Sequence, residues 1–66
     1  MEFKWVDSKK TLIACVEKNK LLNENMEEIS QIVKDAYEDA ILMGVKKESF
    51  VENLNLTINE CCNLKT

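Results

Sequence analysis

A chain of 66 residues with a net charge of -3, three cysteines, one glycine, no proline and no histidine excludes a good deal before any pattern is read. There is room for one domain, and a chain of about 60 residues buries only about 60% of its unfolded surface, so its core is marginal and disulfides, a metal or oligomerisation are the usual supplements. An odd cysteine count with two adjacent argues against a disulfide framework and for a reducing cytoplasm. Without histidine or a C-x-x-C pair the usual zinc spacing is missing, and the acidic balance disfavours nucleic acid and anionic lipid.

The first residues, MEFKWV, alternate, with Phe3 and Trp5 on one side and Glu2 and Lys4 on the other. A lone strand has no partner, so the pattern predicts an extended arm over 1–7 that lays its aromatic rings on the helices. The alternative is an arm that docks on a second chain. Asp7 or Ser8 then caps a first helix over about 8–22. Leu12, Cys15, Val16 and Leu22 share its apolar face, Ile13 lies at the margin and Asn19 interrupts it. Asn19 in that position suggests a helix ending early near Lys20, with a buried amide that fixes register between helices as the alternative. With Lys9, Lys10, Lys18 and Lys20 against Glu17, this is the basic part of the chain.

Asn23-Glu24-Asn25 reads as a loop, and Asn25 followed by Glu28 is a variant of the capping box that opens a middle helix over about 25–43. Glu27 and Glu28 occupy its first turn, where the helix dipole favours negative charge. Met26, Ile29, Ile32, Val33, Ala36, Tyr37, Ala40, Ile41 and Met43 fill an arc of roughly 180°. That width predicts a helix sandwiched between two neighbours, the middle of three. Gly44 stands where a left-handed C-terminal residue is wanted. A third helix over about 47–63 carries Phe50, Val51, Leu54, Ile58, Cys61 and Cys62 within roughly 120°. Leu56 falls off that stripe. Lys65 and Thr66 are expected to fray. No apolar run approaches the roughly 20 residues needed to cross a bilayer, and the N-terminus lacks the core of a signal peptide, so the chain is expected to be unprocessed.

The fold expected is therefore all-α, a small three-helix domain with a short extended N-terminal arm, and a helical homodimer is its natural extension. Met26, Ile29, Val33, Ala36, Ala40 and Met43 also form a short heptad seam, which a neighbouring helix of the same chain or a second copy fills. Cys15 and Cys61 read as small core residues.

For function, parts are missing: no Ser-His or Cys-His dyad can be built, and no glycine-rich loop is present to cradle phosphate. The chain is expected to be no enzyme and to hold no cofactor. Glu28, Asp35, Glu38 and Asp39 form an acidic ridge that Lys34 alone opposes within the middle helix. One helix face cannot wrap a hard cation with six or more oxygens, so no metal is expected there. The ridge reads either as a solvated face or as a docking face that steers toward a basic partner, and Leu56 and Trp5 are candidate apolar contacts. The expected role is a non-catalytic protein interaction module, an adaptor or an inhibitor that occludes a basic or apolar surface. The alternatives are a dimeric transcription regulator or DNA-associated factor, and a structural subunit of an assembly. An extended N-terminal segment followed by two helices resembles, in element order over about two thirds of the chain, the ribbon-helix-helix repressors. That resemblance implies a DNA-reading strand, for which Lys4 would be the sole basic reader and beside which the middle helix is acidic, so nucleic acid is disfavoured.

Overall fold

The computed structural model describes residues 2–63; Met1, at the start of the expected arm, and the expected frayed end at Lys65 and Thr66 lie outside them. The spacing predicts three helices, and the chain has two: α1, Val16–Leu42, of 27 residues, and α2, Lys47–Cys61, of 15. All-α holds, while the three-helix domain does not. The chain divides into two compact units, Met1–Ile32 and Val33–Thr66, and α1 contributes residues to both.

In the first unit, residues 8–15 form a turn and a return leg rather than the start of a helix. Asp7 does not cap a helix but organises this turn. Its Oδ1 accepts the backbone N–H of Lys9 at 2.9 Å and of Thr11 at 3.0 Å, its carbonyl accepts the N–H of Lys10 and its own N–H reaches the Thr11 carbonyl, both at 2.9 Å. Lys10 takes a left-handed φ of 65°, the position that glycine or asparagine usually fills in a three-residue hairpin loop. Val6 and Leu12 then pair as an isolated antiparallel bridge, with the Ile13 N–H donating to the Trp5 carbonyl at 2.9 Å. The segment that the ribbon-helix-helix resemblance takes as a DNA-reading strand pairs instead with the chain's own return leg.

Alternation along the hairpin sends Val6 and Leu12 to solvent, while Phe3, Trp5 and Ile13 are half-buried. The arm thus packs on its own chain. The Trp5 indole Nε1 donates to Asn23 Oδ1 at 2.7 Å, and the Phe3 and Trp5 rings lie 6.0 Å apart. Asn19 Nδ2 donates to the carbonyls of Ile13 at 2.8 Å and Cys15 at 3.0 Å. The two asparagines that suggest a helix end and a loop therefore sit inside α1, holding the hairpin. An asparagine costs a helix only about 0.5 kcal/mol relative to alanine, less than such a bond to partly buried groups restores. With neither glycine nor proline between 16 and 42, nothing forces a break.

In the second unit, α1 ends as predicted at Gly44, whose φ is 84°. The Gly44 N–H reaches the Ile41 carbonyl at 3.0 Å and the Val45 N–H the Ala40 carbonyl at 2.9 Å, the paired bonds of a Schellman motif. Lys46, in extended conformation and without a side-chain cap, starts α2. The Tyr37 and Phe50 rings meet edge to face, their centroids 5.3 Å apart at 61°, and Leu54 is half-buried beside Phe50 on the same stripe of α2.

Met26–Met43 is not sandwiched. Met26, Val33, Tyr37 and Ala40 are half-buried, whereas Ile29, Ile32, Ala36, Ile41 and Met43 are exposed. The arc is as wide as periodicity predicts, but only part of it finds cover within this chain. Among the described residues none is buried, and Cys15, Cys61 and Cys62 are free and exposed rather than core. No helix is long and apolar enough to cross a membrane.

Candidate interaction surface

The acidic ridge belongs largely to the second unit. Asp35, Glu38 and Asp39 stand at i, i+3 and i+4 of α1, and Leu42, at i+7, completes the same face. Tyr37 orients that face: half-buried against Phe50, it commits the opposite side of the helix to α2 and leaves the carboxylates outward. All three acids are exposed. Leu42, with 86% of its surface exposed, is the barest of the large apolar side chains described, followed by Met43 at 81%. Glu38 and Leu42 also border a shallow depression of about 310 Å³ with Tyr37 and Ile41. The result is an apolar knob set among like charges that repel one another, an arrangement that a cationic rim around an apolar socket would complement.

The remaining candidates lie elsewhere. Glu28 is exposed on α1 within the first unit, and Asp35, Glu38 and Asp39 belong to the second. Trp5 is half-buried, with its N–H committed to Asn23. Leu56 is 63% exposed on α2, on the side of that helix away from Phe50 and Leu54. Sequence reasoning passed over Leu42 because it lies outside the apolar arc; its spacing of three and four residues from Asp39 and Glu38 is the signal that finds it. Among the described residues no three acidic or thiol side chains converge as the ligands of a metal ion would.

No protein family, no curated protein and no solved structure matches the chain, so the surface is read from its own residues.

Proposed function

We propose that the chain is a non-catalytic protein interaction module, an adaptor or inhibitor that docks on a larger protein through the face of α1 made by Asp35, Glu38, Asp39 and Leu42. The observation that supports it is the exposure of Leu42 amid three carboxylates. A leucine so placed adds little to the folded state of the isolated chain, yet in a partner's socket it would be the anchor, with the acids speeding encounter and excluding acidic surfaces. The partner this face fits has an apolar socket rimmed by lysine or arginine, and occlusion of that socket is the inhibitory act.

A photo-reactive amino acid at position 42 tests this in the source cell. The expected result is one dominant cross-linked partner, with capture falling as salt rises. With Asp35, Glu38 and Asp39 all changed to lysine, capture should drop by about tenfold or more. Capture that survives both this triple reversal and high salt would exclude the acidic face as the docking surface.

A further inference from the structure

A second exposed face lies wholly within the first unit. On α1, Leu21, Asn25, Ile29 and Ile32 follow at spacings of four, four and three, which sets them on one flank of the helix beside the seam that the hairpin half-covers. Leu21 is 59% exposed, Ile29 48% and Ile32 66%, and Asn25 is exposed at their centre.

We infer that this flank is covered by the same flank of a second copy, packed antiparallel about a two-fold axis at Asn25. Leu21 lies four residues before Asn25 and Ile29 four after, so in that arrangement each leucine meets the second copy's isoleucine. Lys18 lies seven before and Ile32 seven after: the lysine stem covers the isoleucine, and its ammonium reaches Glu28 of the second copy, one turn nearer the axis. The ion pair occurs twice, once at each end of the contact. A parallel pairing would instead set Lys18 against Lys18 and Glu28 against Glu28.

The two Asn25 amides meet each other at the axis, where a polar residue within an apolar seam fixes register. A two-fold contact of this kind closes on itself and makes a dimer rather than a filament. The strip is short, about 22 Å for fifteen residues, and less than the roughly 800 Å² per partner of a standard interface. The dimer is therefore a weak, reversible one. It does not rest on the acidic-face reading, whose residues begin at Asp35, and it gives Glu28 a role apart from that face.

Cysteine scanning on a background with Cys15, Cys61 and Cys62 changed to serine tests the geometry. Under mild oxidation Asn25→Cys should cross-link to its own copy, while Glu24→Cys, off the flank, should not. Leu21→Cys and Ile29→Cys, neither of which should cross-link to itself, should cross-link to each other when mixed. In sedimentation, Lys18→Glu or Glu28→Lys alone should weaken association by about tenfold, and the double exchange should restore it. A wild-type chain that stays monomeric at the highest attainable concentration overturns the proposal. So does a dimer that cross-links at position 24 as readily as at 25, or one in which Leu21→Cys pairs with itself.

Discussion

Changing Phe50 to alanine is expected to detach α2, the largest effect of any single substitution in the second unit. A helix of 15 residues is marginal in water without tertiary support, so α2 is held by the few side chains it packs on α1. Phe50 is one of the two residues of α2 that are half-buried, and its ring meets Tyr37 edge to face. Truncating a fully buried phenylalanine costs about 3–5 kcal/mol; for this half-buried ring about 2 kcal/mol is expected, including the loss of the ring pair. That lowers the ratio of docked to undocked α2 by about 30-fold. Amide exchange across 47–61 should accelerate accordingly, while the hairpin amides keep their protection. Phe50→Leu, which keeps most of the apolar area, should lose about half as much. Unchanged protection of α2 in the alanine variant would mean that something other than the Tyr37 contact holds it.

The second large effect is expected at Trp5. A two-stranded hairpin is marginal alone, and this one has a single bridge pair. Trp5 attaches it to α1 through its ring and through the 2.7 Å bond to Asn23. Trp5→Ala should remove about 2–3 kcal/mol, combining lost aromatic area with an asparagine deprived of its donor. The amides of Asp7 and Ile13, which donate across the hairpin, should then exchange at rates close to those of an unfolded chain, with α2 unaffected. Trp5→Phe separates the two causes: it keeps a ring and loses the bond, and should cost about 1 kcal/mol. Protection at Asp7 and Ile13 that survives the alanine change would show that Asn19, with its bonds to the return leg, holds the hairpin unaided.

The parts of the fold legible in sequence were those set by periodicity and by glycine. The all-helical class, the end of α1 at Gly44 and the start of α2 at Lys47 follow from the apolar spacing and from the one residue free to adopt a left-handed φ. The hairpin was not legible because its turn uses Asp7-Ser8-Lys9-Lys10, with lysine in place of the usual glycine, and the same aspartate is an equally good helix cap. The break proposed at 23–25 failed for a related reason: asparagine favours loops only until its side chain finds a tertiary partner, and Asn19 and Asn23 both do. The acidic ridge could be read directly from the spacing of Asp35, Glu38 and Asp39. Leu42 could not, since an isolated leucine beyond an apolar stripe has no meaning until its exposure is known.

Both proposed contacts rest on one observation, the exposure of large apolar side chains along α1 in each unit. In the first unit these are Leu21, Ile29 and Ile32, and in the second Leu42 and Met43. Thermal unfolding followed by helix signal over three decades of chain concentration tests most directly whether a second copy covers the first of these groups. Cover supplied by a second copy makes the native state more stable as concentration rises, so the midpoint should climb steadily. A midpoint that stays constant across the whole range, in a chain that sediments as a monomer throughout, would contradict it.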